Sequence, residues 1–352
     1  MQPAKVKQGL VGIPKTLSVM PTFACPAECD SCGTLSSPRD KNKLGFDAIR
    51  RGIDEAAELN FLNVVFTGGE PTLQWNHLVD AIAYARGKLL MTRLVTNAHW
   101  ARNHETALKK AGILKDAGLD EINFSTGDEH ARFIPLEHVI HAIAAFHELG
   151  YVPGMMIELK TGRELSKEKL LSHPLFLAYG LTEADVVISE SPWMPLDPYD
   201  DTTYQQKITA NSDNIHNYEG CDSILQTYVL QANGNIGSCC GLGMRILPEL
   251  QVATIQDERF LAKGIHEGEQ DIMKLLLKYV GPEKLLHWAA GKDPSIDWEN
   301  RYAHKCQACM RLYSDEAIVS ILLEHYEELV PDLLSAMYIE EVLVQESLKQ
   351  EA

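Results

Sequence analysis

The chain has 352 residues, of which 45% are hydrophobic and 23% are charged, as is typical of a globular protein with one large or two moderate domains. Its 49 acidic and 32 basic residues give a formal net charge of −17. This acidity argues against a nucleic acid partner, because nucleic acid binding normally leaves a basic surface. The sequence contains neither an apolar run of membrane-spanning length nor a secretory signal, so we expect a cytoplasmic protein without a membrane partner.

Short β-forming runs alternate with amphipathic helical patterns through the first half of the chain. The predicted strands cover 17–22, 62–67, 91–96, 121–125, 152–159 and 185–190. The predicted helices between them cover 45–59, 74–88, 103–117, 135–149 and 165–178. This alternation predicts βα units that build a parallel sheet, with functional residues at the carboxyl ends of the strands.

The pattern changes after about Pro192. Residues 199–218 are polar and lack a clear period, which is typical of a linker or an active-site cover. The runs 226–230 and 235–237 flank Asn233-Gly234, a strong signal for a β-hairpin. From Leu261 onward the pattern is mostly helical, and we expect its apolar residues to pack within the protein or against a partner subunit.

Three of the eight cysteines occur in Cys25-Pro-Ala-Glu-Cys29-Asp-Ser-Cys32, a Cx3Cx2C loop. Cysteines in a cytoplasmic protein indicate metal binding or catalysis before disulfides. Three thiolates on one short loop can hold an iron-sulfur cube and leave its fourth iron open to the amine and carboxylate of a small molecule. The natural candidate for that molecule is S-adenosylmethionine. A zinc site is the alternative for this loop.

Three further motifs follow the cysteine loop. They are Val64-Val65-Phe66-Thr67-Gly68-Gly69-Glu70-Pro71, Leu94-Val95-Thr96-Asn97 and Phe124-Ser125-Thr126-Gly127-Asp128-Glu129-His130. Together with the loop they resemble the radical SAM superfamily. The resemblance implies an α/β fold, a partial (β/α)6 TIM barrel, with a 4Fe-4S cluster on the three cysteines. It also implies that one electron from the cluster cleaves S-adenosylmethionine to a 5'-deoxyadenosyl radical.

The resemblance also indicates which residues bind the cofactor. These are Gly68, Gly69, Glu70, Thr96, Asn97, Ser125, Glu158 and Lys160. Glycines let the backbone approach a ligand closely, and a glutamate can accept a hydrogen bond from the cofactor's ammonium group. Thr96 and Ser125 could instead bond to local backbone, and Glu158 and Lys160, which could bind the ribose or the carboxylate, could instead be solvated charges.

The remaining cysteines come late in the chain. They are Cys221, Cys239, Cys240, Cys306 and Cys309. In radical SAM families with SPASM or twitch-like extensions, such a set holds an auxiliary 4Fe-4S cluster. The resemblance therefore implies a C-terminal β-hairpin plus helical iron-sulfur domain. Its expected metal ligands are Cys221, Cys239, Cys306 and Cys309.

One cysteine is left over after both clusters are assigned. A first cysteine followed about eighteen residues later by a Cys-Cys pair resembles radical SAM peptide epimerases, which convert L-residues to D-residues in ribosomally synthesised peptides (RiPPs). Adjacent strand residues point in opposite directions, so one of the pair can bind iron while the other faces substrate. The resemblance implies that Cys240 is catalytic and returns a hydrogen atom to the substrate. The reverse assignment of Cys239 and Cys240 stays open, as does a buried or ligand role for Cys240.

Competing functions remain at this point. They are a peptide cross-linking maturase that forms thioether or carbon-carbon bonds, a small-molecule dehydrogenase, and a zinc-binding module without catalysis. The expected partners are a peptide substrate and a one-electron reductant such as flavodoxin or ferredoxin. The predicted domains are the barrel at 1–192, the linker or cover at 193–220, and the auxiliary cluster domain with its helical tail at 221–352.

Overall fold

A computed structural model describes residues 15–160, 162–204 and 206–350, with no side-chain placement for 206 and 344–350. Residues 1–14 of the predicted barrel range lie outside the described residues. The chain forms two compact units. The barrel unit comprises 16–193 with 230–234, and the C-terminal unit comprises Lys15 with the described parts of 194–229 and 235–352. The segment predicted to be a linker or cover thus falls almost wholly in the C-terminal unit.

Six strands belong to the barrel unit: Thr16–Val19 (β1), Asn63–Phe66 (β2), Met91–Thr96 (β3), Glu121–Thr126 (β4), Gly154–Leu159 (β5) and Val187–Pro192 (β6). They are parallel and lie side by side in the order β6-β5-β4-β3-β2-β1. Every strand neighbours the one before it in the chain, so all carboxyl ends meet at one edge of the sheet. The predicted α/β alternation and parallel sheet are confirmed.

Seven helices are described in the connections of the barrel unit. They are Phe46–Glu58 (α1), Trp75–Gly87 (α2), His104–Asp116 (α3), Asp128–Ala131 (α4), Leu136–Glu148 (α5), Lys167–Leu171 (α6) and Pro174–Ala178 (α7). The strands and helices bury apolar side chains between them, as in Phe124 of β4, whose ring lies edge-on to Phe146 of α5 at 6.0 Å. Burial of such side chains supplies most of the driving force that holds the layers together.

The single helix predicted over 165–178 is wrong, because α6 and α7 are separate. Pro174 lacks a backbone N–H and cannot continue a helix, but it suits the first position of a new one. The preceding His173 accepts a hydrogen bond from the N–H of Leu175 through Nδ1 at 3.2 Å and so caps α7.

The C-terminal unit contains short strands followed by helices. The strands are Thr227–Leu230 (β7), whose last residue falls in the barrel unit, Asn235–Gly237 (β8) and Gln251–Thr254 (β9), and β8 pairs antiparallel with β9. Its helices are Phe260–Glu269 (α8), Ile272–Tyr279 (α9), Pro282–Lys292 (α10), Lys305–Ser314 (α11), Glu316–His325 (α12) and Val330–Gln350 (α13). The predicted hairpin and helical tail are present, whereas the pattern did not predict β9, which is only four residues long.

Within the described residues, no helix is both long enough and apolar enough to cross a membrane.

Candidate functional site

The cysteine loop follows β1 and packs against the end of β2. The N–H of Gly69 donates to the carbonyl of Thr22 at 3.1 Å, and the N–H of Glu70 donates to that of Ala24 at 2.8 Å. On its other side, the N–H of Cys25 donates to the carbonyl of Ser37 at 3.2 Å. These bonds fix the chain directly before the three cysteines.

The two glycines of the Gly-Gly-Glu motif permit this packing. A Cβ on Gly69 would lie 2.2 Å from the carbonyl oxygen of Ala24, a distance that no side chain can tolerate. Gly68 has φ of +118°, and a Cβ there would lie 2.9 Å from the carbonyl oxygen of Thr22. The two glycines therefore allow a close approach of the protein's own backbone. The segment that approaches them is the one that leads from β1 into the cysteine loop.

Hydrogen-bond donors surround the thiols of the loop. Cys25 Sγ accepts from the N–H of Ala27 at 3.4 Å and from Nδ2 of Asn97 at 3.5 Å, and Cys32 Sγ lies 3.4 Å from Oγ1 of Thr34. Burial raises the pKa of Cys25 and of Cys29 to about 12. Thiols with nearby donors are a suitable ligand set for an iron-sulfur cluster, so the residues present fit the predicted group.

Glu70 is fully buried and is held by four donors. Its Oε1 accepts from the N–H of Thr72 at 3.1 Å, from Oγ1 of Thr72 at 2.6 Å and from Oγ1 of Thr96 at 2.8 Å. Its Oε2 accepts from the N–H of Asn97 at 2.9 Å. Burial raises the pKa of Glu70, while these hydrogen bonds act in the opposite direction. The carboxylate therefore ties the ends of β2 and β3 together beside the cysteine loop.

The remaining predicted cofactor residues lie on β4 and near the end of β5. Ser125 is half-buried on β4. Glu158 accepts a hydrogen bond from the N–H of Glu129, and Lys160 Nζ lies 3.2 Å from Glu129 Oε1 and 4.5 Å from the ring centroid of Trp193. The two charges are thus partnered within the protein. The motif pattern did not single out Glu129, because its role depends on contacts made in the fold.

Four of the late cysteines line one pocket. Cys221, Cys239, Cys306 and Cys309 surround a space of about 390 Å³, a volume that includes the part open to solvent. Burial raises the pKa of Cys221, raises that of Cys306 to about 12, and raises those of Cys239 and Cys309 well above the usual range. Four cysteines that line one pocket fit the predicted auxiliary cluster.

Separate elements bring these four cysteines together. Cys306 and Cys309 lie three residues apart on α11 and so share one face of that helix. The N–H of Cys221 donates to the carbonyl of Leu277, on α9, at 2.9 Å. Gly241 leaves space for the sulfurs, since a Cβ there would lie 2.8 Å from Cys306 Sγ and 3.9 Å from Cys239 Sγ.

Cys240 differs from Cys239 in its exposure and in its surroundings. Cys239 is buried and lines the pocket, whereas Cys240 is exposed and is not among the pocket-lining residues described. Cys240 Sγ lies 3.1 Å from Oγ of Ser223, and its N–H donates to the same oxygen at 3.3 Å.

Neither cysteine set is arranged around a single ion. Among the residues that the structure describes, no group of three or more histidine, cysteine, aspartate or glutamate side chains is placed to hold one metal ion.

Comparison with known proteins relates both the sequence and the fold to others. Residues 19–170 match the radical SAM superfamily. A PqqA peptide cyclase of Rhodopseudomonas palustris is 33% identical over 115 residues, which are 32% of this chain and 29% of the relative. The putative peptide biosynthesis protein YydG of Bacillus subtilis is 22% identical over 64% of this chain and 69% of its own length.

The fold is similar to that of SuiB from Streptococcus suis, solved with bound S-adenosylmethionine. The TM-score is 0.52 at 15% identity, over 70% of this chain and 64% of SuiB. This chain spans less than a third of the PqqA peptide cyclase that it matches. The resemblance of the early motifs to the radical SAM superfamily is confirmed, and residues 19–170 form a radical SAM domain.

Proposed function

We propose that the protein is a radical SAM enzyme that modifies a ribosomally synthesised peptide, and that it converts an L-residue to a D-residue. The superfamily match and the peptide-related names of PqqA peptide cyclase and YydG support an enzyme acting on a peptide. The observation that carries epimerisation is the exposed Cys240 thiol beside a pocket lined by four other cysteines.

We assign two cofactor sites to the cysteine sets. Cys25, Cys29 and Cys32 would hold the cluster that binds S-adenosylmethionine, and the four pocket cysteines would hold an auxiliary 4Fe-4S cluster. When bound and reduced, the first cluster and S-adenosylmethionine supply a 5'-deoxyadenosyl radical. Glu70, Thr96 and Asn97 keep the strand ends beside the cysteine loop in place. The hydroxyl of Thr96 is fully used within the protein, whereas Nδ2 of Asn97, which spends one N–H on Cys25, has a second that suits the polar end of the cofactor.

Cys240 performs the step that sets the stereochemistry. Once the α-hydrogen has been removed from one face of the peptide residue, the thiol of Cys240 gives a hydrogen atom to the other face. A C–H bond forms, the S–H bond breaks, and a thiyl radical is left on Cys240. One electron from a reductant of the flavodoxin or ferredoxin class, together with one proton from solvent, restores the thiol.

The experiment for epimerisation is incubation of the enzyme with its peptide in deuterated water. Each changed residue should carry one solvent deuterium at its α-carbon and should be recovered as the D-enantiomer after hydrolysis. Cys240→Ala should abolish D-residue formation while the protein keeps the iron of both clusters. Cys221→Ala is the comparison variant: it removes a proposed cluster ligand and should lose the auxiliary iron, whereas Cys240→Ala should not. A Cys240→Ala protein that still forms D-residues would refute the assignment.

A peptide cross-linking maturase is the second candidate, and the similarity to PqqA peptide cyclase favours it. Such a reaction needs no hydrogen donor and removes two hydrogens from the peptide, whereas epimerisation in ordinary water leaves the mass unchanged. Mass spectrometry of the product separates the two reactions. A small-molecule dehydrogenase is less favoured, because the names of PqqA peptide cyclase and YydG both refer to peptides.

The first cluster site is tested without any peptide. Anaerobically purified and iron-loaded protein should convert S-adenosylmethionine to 5'-deoxyadenosine when dithionite is added, and Cys25→Ala should not. Iron and sulfide analysis addresses the zinc alternative directly. A colourless protein that contains zinc and produces no 5'-deoxyadenosine would reject the proposed function.

A further inference from the structure

We infer that Glu129 is a positioning residue for the cysteine loop and that its charge acts on the cluster proposed there. The inference rests on the proposed cluster at Cys25, Cys29 and Cys32. It goes further by giving a role to a buried carboxylate that is neither a ligand nor one of the predicted cofactor residues.

Glu129 reaches the loop directly. It lies in α4, just after β4, and is 6% exposed. Its Oε2 accepts a hydrogen bond from the backbone N–H of Asp30 at 3.3 Å. Asp30 is the residue that follows Cys29 in Cys29-Asp30-Ser31-Cys32, so the bond is made inside the ligand-bearing segment.

Arg132 adds a second link between Glu129 and Asp30. Its Nη1 donates to Glu129 Oε2 at 2.7 Å and to Asp30 Oδ2 at 2.8 Å. Both the backbone and the side chain of Asp30 are therefore held from the β4 connection. The next residue, Ser31, has φ of +54°, a conformation that residues with a Cβ rarely adopt without support from their surroundings.

Two cations contact the buried carboxylate of Glu129. Lys160 Nζ lies 3.2 Å from Glu129 Oε1, whereas Asp30 and Arg132 contact Oε2. A buried carboxylate without partners would be strongly disfavoured, and two cations satisfy both of its oxygens. The backbone N–H of Glu129 donates to Glu158, which fixes the start of α4 as well.

The position of Glu129 gives its charge a predictable effect. A negative charge near an iron-sulfur cluster disfavours addition of an electron and so lowers the reduction potential, and a nearby positive charge raises it. Removal of the Glu129 charge should therefore raise the potential. Removal of the Arg132 charge should lower it. A role in loop structure alone would not produce shifts of opposite sign.

The test compares Glu129→Gln and Arg132→Gln with the wild-type holoenzyme. Glu121→Gln is the matched control, because Glu121 begins the strand whose far end leads to Glu129. Two quantities are measured: the rate at which a chelator removes iron, and the midpoint potential of the cluster whose electron paramagnetic resonance signal changes on addition of S-adenosylmethionine.

Glu129→Gln and Arg132→Gln should each release the iron of the cysteine loop roughly 10-fold faster than wild type, as expected when a residue that supports the metal ligands is lost. Glu129→Gln should shift the potential upward, Arg132→Gln should shift it downward, and Glu121→Gln should match wild type. Potentials that are unchanged, or that move in the same direction in both variants, would overturn the inference.

Arg132 is half-exposed, so its replacement tests the inference even where Glu129→Gln fails to fold. In that case a faster iron release with a lowered potential in Arg132→Gln supports the role, and wild-type behaviour refutes it. Failure of the proposed function looks different, because wild-type protein would then bind no cluster at the loop and form no 5'-deoxyadenosine.

Discussion

The sulfur of Cys240 lies 3.1 Å from the hydroxyl oxygen of Ser223, and the N–H of Cys240 donates to the same oxygen. Cys239, one residue earlier, is buried among the pocket cysteines. Ser223 therefore holds the exposed thiol through two contacts, one to its backbone and one to its side chain. A residue held in this way has fewer orientations available, which suits a group that must deliver a hydrogen atom to one face of a substrate.

Ser223→Ala should slow formation of the D-residue about five-fold, the effect of losing a hydrogen bond worth about 1 kcal/mol. Formation of 5'-deoxyadenosine should continue, so the ratio of 5'-deoxyadenosine to D-residue should rise. Chiral amino acid analysis and nucleoside chromatography measure the two products. Ser223→Thr keeps a hydroxyl and should restore the ratio. An unchanged ratio in the alanine variant would mean that Ser223 does not position the thiol.

Gly241→Ala should prevent assembly of the auxiliary cluster, because the added Cβ would lie 2.8 Å from Cys306 Sγ. The protein should keep the iron of the cysteine loop and should still cleave S-adenosylmethionine. Gly291→Ala is the control in the same unit, since Gly291 has no atom within 4 Å of the added Cβ. That control should retain all iron and be more stable by about 0.5–1 kcal/mol, because alanine favours helix over glycine. Full iron content in Gly241→Ala would contradict the placement of Cys306.

Glu70→Gln should destabilise the metal-free protein by about 1–3 kcal/mol. In the wild type both carboxylate oxygens accept hydrogen bonds, whereas in the variant an amide NH2 group would replace one of these oxygens and face a donor. Urea denaturation at neutral pH measures the free energy of unfolding. Glu164→Gln is the control at an exposed carboxylate in the same unit, and its effect should stay within about 0.5 kcal/mol. Equal stability of the two variants would show that the four donors around Glu70 do not stabilise the fold.

His99 should make the protein sensitive to mild acid. Burial lowers its pKa from 6.5 to about 4, and positive charge on Lys110, Arg102 and His138 acts in the same direction. Between those two values the unfolded chain binds more protons than the folded chain, so stability falls as the pH is lowered.

Lowering the pH from 7 to 5 should therefore cost the metal-free wild type about 1 kcal/mol more than it costs His99→Gln, after allowance for partial exposure of the ring. Urea denaturation at the two pH values measures this difference. His216→Gln, at an exposed histidine, should behave as wild type. A pH dependence that is identical in wild type and His99→Gln would refute the assignment to His99.

Local patterns predicted much of the barrel unit. Strand and helix positions follow from hydrophobic periodicity, and the Cx3Cx2C spacing is legible because its ligands lie within one loop. The break between α6 and α7 at Pro174 could also have been read, since proline cannot continue a helix. The strand β9 was not predicted although it is as long as β1, β2 and β7, because it follows a 3-10 turn at Pro248–Leu250 and neither a βα repeat nor an Asn-Gly turn marks it.

The sequence by itself determined that three early cysteines share a loop and that the chain builds a parallel α/β sheet, because both depend on residues close together in the chain. Only the tertiary structure distinguished the surroundings of Cys239 from those of Cys240, which are adjacent and identical in type. Likewise, it alone placed Glu129 against Asp30, 99 residues away along the chain. Burial and hydrogen bonding between distant segments are properties of the folded chain, and no local pattern encodes them.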